Sequence, residues 1–492
     1  MPASQICITV TGTSLAELRA ARDAASGADL VELRLDGVRD LDVAGALAGR
    51  RTPVVVTCRP VWEGGRFDGA EEERCRVLET AGRLGAEYID VEWRAGFQDL
   101  VRARHGRGVV LSLHDFHTPR SDLADRARAM AASGAEVLKL AVEADRLADV
   151  LPLLSLGREF GRSQGLVLVA MGEAGLATRA LAARFGSRWT YAGGDAAVGQ
   201  IEPARLVGEL RFRDVTPATD VYGVVGRPVA HSVSPAMHNA AFAAAGVDAV
   251  YLPLAAADAG DFVTFAEAIG LKGASVTAPF KHDLLARLDE ADEICRAVSA
   301  VNTVRIEGRR WAGRNTDVAG FLAPLDGRMA LAGARAAVVG AGGAARSAAW
   351  ALRGAGADVT LHARRLARAE EAARSVGVRG AALPPPAGGW DLLVNATPVG
   401  AAPDTGASPV PGLALDGRLV YDLVYNPSRT RLLADAAAAG CDTLGGLPML
   451  VEQARRQFAW WTGREMPAEV FRAAAEARLA GVALEDAAEW TR

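Results

Sequence analysis

The chain has 492 residues, half of them hydrophobic and 23% charged, with a formal net charge of −4 and a pI near 6.1. Such a length exceeds one core and implies two or three domains of an ordinary globular protein. The mild charge and scattered arginines give no reason to expect nucleic-acid or membrane partners, and no apolar run reaches the length of a membrane span.

The start, MPASQICITVTG, lacks a basic stretch followed by an apolar one, so no signal peptide is expected. Eight strand-like runs then follow: ICITVTG, LVELRLD, VVVTCRP, YIDVEW, VVLSLHDF, EVLKLAV, LVLVAMG and WTYAG, beginning at residues 6, 30, 54, 88, 109, 136, 166 and 189. Between most of them lie Ala/Arg/Glu-rich stretches with helical spacing. Eight β units separated by helices predict an α/β fold, a compact (β/α)8 barrel over residues 1–212. The polar FRDVTPATD stretch predicts a linker at 213–219. A second αβ series forms a first lobe over 220–325, with VYGVVG, AVYLPL, GASVTAP and AVNTVRI as strands. A nucleotide-type Rossmann lobe spans 326–446, and C-terminal helices at 447–492 pack back on the first lobe through one apolar face.

Five cysteines (Cys7, Cys58, Cys75, Cys295, Cys441) form no CxxC pair and are odd in number, which predicts free thiols in a reducing cytoplasm and no metal site. All but three of the 55 basic side chains are arginine; the exceptions are Lys139, Lys272 and Lys281. A lysine retained in so arginine-rich a chain marks a place where a nucleophile or a proton donor is needed, since arginine stays charged.

A barrel interior should be branched and apolar, yet these strands carry charges. Glu32 and Arg34 share one face of the second strand. Arg59 ends the third and is followed by Glu63, His114 lies on the fifth, and Lys139 on the sixth. Charges gathered at the C-terminal ends of barrel strands point to a catalytic site, because buried ions seldom add net stability. A lysine in a dry pocket beside arginine cations has its ammonium form disfavoured and can attack a ketone to give an imine. His114 is then a suitable base, Glu63 its orienting partner, and Arg34 or Arg59 a grip for a substrate carboxylate.

The motifs ELRLD, TCRPVWEGG, LSLHDFHTP, EVLKLAV and VGQ make this half similar to type I 3-dehydroquinate dehydratase. The resemblance implies Lys139 as the Schiff-base lysine, His114 as the acid/base and Glu63 as its partner. It also implies substrate contacts from Glu32, Arg34, Arg59, Arg179 and Gln200. His117, in HDFH, is read as a structural residue. The AAVGQ stretch puts Ala196 where the family has a serine, removing one hydroxyl from the lid loop.

In the second half, VVGAGGAA places Gly340, Gly342 and Ala345 in a GxGxxA turn between a strand and a helix, suited to a pyrophosphate. The next strand ends in Arg364 and Arg365 where a NAD site would carry an acid, which favours the 2′-phosphate of NADP. Ser232 and Ser234 sit in a proline-flanked turn, and Lys281 and Asp317 form a candidate proton relay. With SVTAPFK, AVNTV, NATPVG, YDLVYNP and GGLPMLVEQA, this half resembles shikimate dehydrogenase. That implies Lys281 and Asp317 as the catalytic pair, and substrate contacts from Ser232, Ser234, Thr277, Asn302, Tyr425 and Gln453. It implies NADP bound by Gly340, Gly342, Gly343, Ala344, Arg364, Arg365, Asn395, Thr397 and Gly446. Two departures stand out: Ser275 replaces a usual asparagine, and the cofactor motif reads Ala363-Arg364-Arg365. Lys272 matches no catalytic position.

The expected protein is a bifunctional enzyme that dehydrates 3-dehydroquinate and reduces the product with NADPH. The alternatives are a quinate dehydrogenase in the second half and a non-catalytic quinate-responsive regulator.

Overall fold

A computed structural model describes residues 4–116, 122–161, 163–193 and 199–489, with side chains as far as residue 481. Eight parallel strands form the first sheet: β1 (Gln5–Val10), β2 (Leu30–Arg34), β3 (Val54–Thr57), β4 (Tyr88–Glu92), β5 (Val109–Asp115), β6 (Val137–Glu143), β7 (Gly165–Met171) and β8 (Trp189–Ala192). Their order, β7-β6-β5-β4-β3-β2-β1-β8, is that of a (β/α)8 barrel. The ring closes between β7 and β8 through a bridge from Leu166 to Ser187 and a bond from Leu168 N to Ser187 Oγ at 2.9 Å.

The pleat decides which residues face the lumen. Apolar residues fill one end, where Cys7, Leu30, Val55, Val110, Val137, Val167 and Trp189 pack together. Nearer the C-terminal ends the lumen turns polar. In register, Glu92 pairs with Ser112 and Ser112 with Lys139, which brings a carboxylate, a hydroxyl and an amine onto adjacent strands.

The chain divides into two compact units. The first runs to Asp220 and takes in Pro228–Ala230 and Asp248–Ile269 as well, so it reaches past the stretch read as a linker. Within it, the buried Asp261 carboxylate accepts from Leu147 N at 3.0 Å and Ala148 N at 2.9 Å. This caps a short 3-10 turn, Leu147–Val150, whose first N–H groups would otherwise lack acceptors.

Later residues supply two further sheets. One is mixed: β9 (Asp220–Gly226), β10 (Ala249–Ala255), β11 (Gly273–Val276), β12 (Glu290–Ala291), β13 (Thr303–Glu307) and β14 (Arg310–Arg314), ordered β10-β9-β11-β13-β14-β12. The other is parallel: β15 (Arg335–Val339), β16 (Asp358–Ala363), β17 (Arg379–Ala382), β18 (Leu392–Asn395), β19 (Leu419–Asp422) and β20 (Asp442–Leu444). Its order, β17-β16-β15-β18-β19-β20, is the doubly wound arrangement whose chain reversal between β15 and β18 opens a ligand crevice. The long helix Leu447–Thr462 buries Met449, Val451, Ala454, Phe458 and Trp461 along one side, as its apolar spacing predicts.

Ser187→Ala removes the acceptor of a buried N–H at the barrel seam and should lower unfolding free energy by about 1–3 kcal/mol. A urea midpoint unchanged from the parent chain would contradict this account of closure.

Candidate active sites

The charged layer of the barrel is built from strand residues two apart. Lys139, 5% exposed, donates to Glu32 Oε1 at 3.3 Å and to Asp90 Oδ2 at 3.1 Å, and its Nζ lies 4.3 Å from the centre of the Tyr191 ring. Glu32 also accepts from Thr9 Oγ1 at 2.8 Å and Thr57 Oγ1 at 2.9 Å. Asp90 accepts from Ser112 Oγ at 2.5 Å and from Arg59 Nη2 at 2.9 Å. Burial would raise the Asp90 carboxyl, but Arg59 and Lys139 outweigh it and hold it well below the usual range. Glu32 is lowered in the same way, burial being outweighed by Lys139 and Arg34.

The amine's neighbours are therefore carboxylates as well as the arginine expected there. Arg34 is drawn off to a carboxylate of its own, whereas Arg59 stays beside the amine and shares Asp90 with it. The Arg34 fork grips Asp36 with two bonds of 2.9 Å, and Arg59 reaches Glu92 at 2.7 Å as well as Asp90. Ionised groups in a low-dielectric interior pair with counter-charges before anything else. The carboxylates of Glu32 and Asp90 face Lys139 and accept its hydrogen bonds.

His114 lies on β5 beside Ala141 of β6, the position that follows Lys139 on the inner face. Glu63 Oε1 accepts from both His114 N at 2.9 Å and His114 Nδ1 at 3.0 Å, so one oxygen fixes the backbone and the ring. Glu63 sits in a 3-10 turn, Val61–Glu63, that folds back on β3; a Cβ on Gly65 would overlap the Arg59 carbonyl, so the return needs glycine. Burial pushes the Glu63 carboxyl up to about 7. Burial, with Arg59 and Lys139, pushes His114 well below its ordinary value, leaving a neutral imidazole at pH 7.

Arg179, on the short helix Leu176–Ala180, donates to Ala170 O at 2.5 Å, and burial lowers its guanidinium to about 10. Gln200 lies with its amide against Gly193. Ala196 and His117 lie outside the described residues.

Sequence reasoning passed over Asp90, Glu92 and Ser112. The signal was available: Asp90 and Glu92 are two apart in YIDVEW, the same spacing that singled out Glu32 and Arg34.

In the second unit, Lys281 Nζ donates to Asp317 Oδ2 at 2.5 Å, while Asn302 Nδ2 donates to the other oxygen, Oδ1, at 2.7 Å. Asn302 also donates to Gln453 Oε1 at 3.3 Å, and its own oxygen accepts from Thr303 Oγ1 and Thr316 N, each at 2.8 Å. Asp317 opens the helix Asp317–Leu322, where a carboxylate suits the N-terminal dipole. Ser275 Oγ donates to Gln457 Oε1 at 2.7 Å, and Gln457 Nε2 donates to Thr303 Oγ1 at 3.0 Å. The serine in place of asparagine is thus paired with Gln457, one helical turn beyond Gln453 and not anticipated from sequence. Ser232 Oγ accepts from Ser234 N at 3.2 Å, within a half-buried turn. Thr277 is half-buried ahead of the Ala278–Pro279 bond, and Tyr425 is half-buried, its phenol raised by burial.

The dinucleotide turn lies at the crevice between β15 and β18. Gly340 has φ +130°, and a Cβ there would stand 3.0 Å from Ala396 O and 3.3 Å from Ala345 Cβ. Gly342 is exposed with open space where a Cβ would point, and it precedes the helix Gly343–Gly354, whose N-terminus no side chain caps. Ala344 is in that helix's first turn. A Cβ on Gly343 would lie 3.2 Å from Lys281 Cδ, so the turn runs directly past the lysine. Arg364 and Arg365 are exposed at the end of β16. These features fit a dinucleotide: open N–H groups for a pyrophosphate and two guanidiniums for a further phosphate. Asn395 and Thr397 instead bind one another, Thr397 Oγ1 donating to Asn395 Oδ1 at 2.7 Å, and Asn395 Nδ2 donates to the buried Asp422 at 2.9 Å. Gly446 precedes the helix Leu447–Thr462, and a Cβ there would overlap the Leu423 carbonyl.

Fold and sites define a two-part α/β chain: a lysine-centred barrel joined to a two-lobed, dinucleotide-type unit. The family model for type I 3-dehydroquinase matches residues 6–217, that for the shikimate dehydrogenase substrate binding domain 224–304, and that for the shikimate 5'-dehydrogenase C-terminal domain 446–476. A chloroplastic bifunctional 3-dehydroquinate dehydratase/shikimate dehydrogenase of Arabidopsis thaliana is 33% identical over 483 residues, covering 90% of this chain and 79% of that protein. The shikimate dehydrogenase (NADP(+)) of Salinibacter ruber is 43% identical over 279 residues, 51% of this chain and 94% of the relative. A solved shikimate dehydrogenase in complex with NADP+ matches at 34% identity and a TM-score of 0.50, covering 53% of this chain and 96% of that one. The chain belongs to the bifunctional 3-dehydroquinate dehydratase/shikimate dehydrogenase family.

A Glu63 carboxyl raised to about 7 is protonated below that pH; above it, the ion accepts from His114. Because the folded value lies above the ordinary one, any stability from this group is present at low pH and lost as pH rises through about 7. The imidazole 15N shifts of His114 should follow a transition near pH 7 that disappears in Glu63→Gln. Persistence of that transition in the variant would assign it to another group.

Proposed function

We propose that the barrel dehydrates 3-dehydroquinate to 3-dehydroshikimate through an imine on Lys139, and that the second unit reduces this product to shikimate with NADPH. The observation that carries the reading is the pairing of each functional lysine with a carboxylate: Lys139 with Glu32 and Asp90, and Lys281 with Asp317.

In the barrel, Lys139 gives a proton to the neutral His114 and attacks the substrate ketone; His114 returns that proton to the carbinolamine hydroxyl, which leaves as water, and a protonated imine remains. That cation withdraws electrons from the adjacent carbon, whose proton the neutral His114 removes. His114, held by Glu63, returns the proton to the departing hydroxyl, and water then hydrolyses the imine to release product and free amine. Arg179 and Arg34, with Gln200, are proposed for the substrate's carboxylate and hydroxyls. Arg59, whose two terminal nitrogens already meet Asp90 and Glu92, is proposed to order those acids.

In the second unit, NADPH supplies the hydride when bound, held by Gly340, Gly342, Gly343 and Ala344, with Arg364 and Arg365 at the 2′-phosphate. Asn395, Thr397 and Gly446 are proposed to shape the nicotinamide side of the crevice. Lys281 donates a proton at the substrate carbonyl oxygen, and Asp317 keeps the ammonium aimed there. Ser232, Ser234, Thr277, Asn302, Tyr425 and Gln453 are proposed to orient the hydroxyls and carboxylate of the ring. Among the described residues no helix is long and apolar enough to cross a membrane. The five cysteines are free thiols, which supports the proposal of a reducing cytoplasm.

Single-site variants separate the halves. Lys139→Met should abolish dehydration and leave shikimate oxidation near the parent rate, whereas Lys281→Met should lower shikimate oxidation by at least about 100-fold and spare dehydration. Dehydration that survives Lys139→Met, or shikimate oxidation that survives Lys281→Met, would refute the corresponding assignment.

A further inference from the structure

The geometry points to Arg74 as a positioning residue for Lys139, acting through Glu92, Arg59 and Asp90. Arg74 belongs to the helix Glu71–Arg83, outside the strands that carry the site, yet its side chain is fully buried. Its Nη1 donates to Glu92 and to Cys58 O, the latter at 3.2 Å. Its Nε and Nη2 donate to Glu71 at 3.0 and 2.6 Å, and the Phe97 ring lies 4.7 Å from the guanidinium carbon.

From Arg74 a chain of alternating charge leads inward. Glu92 gives one oxygen to Arg74 and the other to Arg59 Nη1 at 2.7 Å. Arg59 Nη2 then donates to Asp90 Oδ2 at 2.9 Å, and the same oxygen accepts from Lys139 Nζ at 3.1 Å. Arg59 and Lys139 therefore share one acceptor, so any shift of the guanidinium changes what the amine sees. Ser112 braces the middle, accepting from Arg59 at 2.8 Å and donating to Asp90 at 2.5 Å.

Removing Arg74 leaves Glu92 buried with a single cation. Such a carboxylate takes up a proton or moves, since an uncompensated buried charge is costly. Arg59 then loses one anchor and turns both terminal nitrogens toward Asp90, competing with Lys139 for Oδ2. A purely structural role predicts something else: buried ion pairs are often replaceable by apolar residues with little loss of stability, and the amine would not register the change.

The inference rests on Lys139 being the nucleophile. The test uses the full chain, measuring kcat and KM for 3-dehydroquinate and, as an internal control of integrity, shikimate oxidation. Arg74→Met should lower dehydration kcat about tenfold with KM little changed, the middle of the range for residues coupled in one network. Arg74→Lys should recover most of that loss, because a point charge still reaches Glu92. The double variant Arg74→Met, Glu92→Gln should be no slower than Glu92→Gln alone. A parent kcat in Arg74→Met, or a double variant slowed by the product of the two single effects, would overturn the proposal. If Arg74→Met does not fold, Glu92→Gln decides: it is expected to lower kcat measurably at parent KM, and a parent kcat overturns the proposal. Dehydration surviving in Lys139→Met would instead remove the underlying reading, so the two failures are distinct.

Discussion

Lys139 and Arg59 share one oxygen, Oδ2 of Asp90, and the rest of the barrel site is arranged around that contact. Two cations on one buried carboxylate hold it ionised despite its burial, and the remaining acids, Glu32 and Glu92, complete the balance on either side. Each charge is confined because its partner is confined, which makes the layer a preorganised set of dipoles. The arrangement also separates two roles that a carboxylate can play. Asp90 is held acidic beside the amine, while Glu63, with fewer compensating charges, rises to about 7 beside a neutral imidazole. Environments that push such groups apart create an acid and a base within one pocket.

The second unit solves a similar problem with neutral groups. Lys281 and Asp317 are the ion pair at its centre; Asn302, Thr303, Thr316, Ser275 and Gln457 form a chain of amides and hydroxyls that holds the aspartate. Amide and hydroxyl networks fix geometry without large desolvation costs, because each donor meets an acceptor already facing it. The exposed glycine turn next to Lys281 contributes open backbone N–H groups, which the long α/β crevice between β15 and β18 presents outward. One chain thus holds a charge-dense candidate site in the barrel and a charge-sparse one in the second unit.

Much of this was legible in the residues. The eight strand-like runs begin within a residue of β1 to β8, because strand alternation and glycine-bounded turns are local signals. Lys139 stood out through the scarcity of lysine, and the barrel and Rossmann architectures follow from element order. Directions of long side chains were less legible. Arg34 and Arg59 were placed on the lumen face, yet nothing local says that Asp36 and the acids of β4 would claim their forks. Asp90 and Glu92 sat in plain view at the right spacing. Gln457 was harder: its partner Ser275 is 182 residues away, and only tertiary packing joins them. The extent of the first unit also escaped, since the Asp261 cap on Leu147 and Ala148 is a contact across more than a hundred residues.

The central claim is that one buried amine bonds covalently to the substrate. Adding borohydride to the enzyme during turnover of 3-dehydroquinate, then mapping the digested protein by mass, tests it most directly. A reduced adduct confined to the peptide bearing Lys139 is the predicted result. An adduct on Lys272 or Lys281, or full activity with no adduct at all, would contradict it.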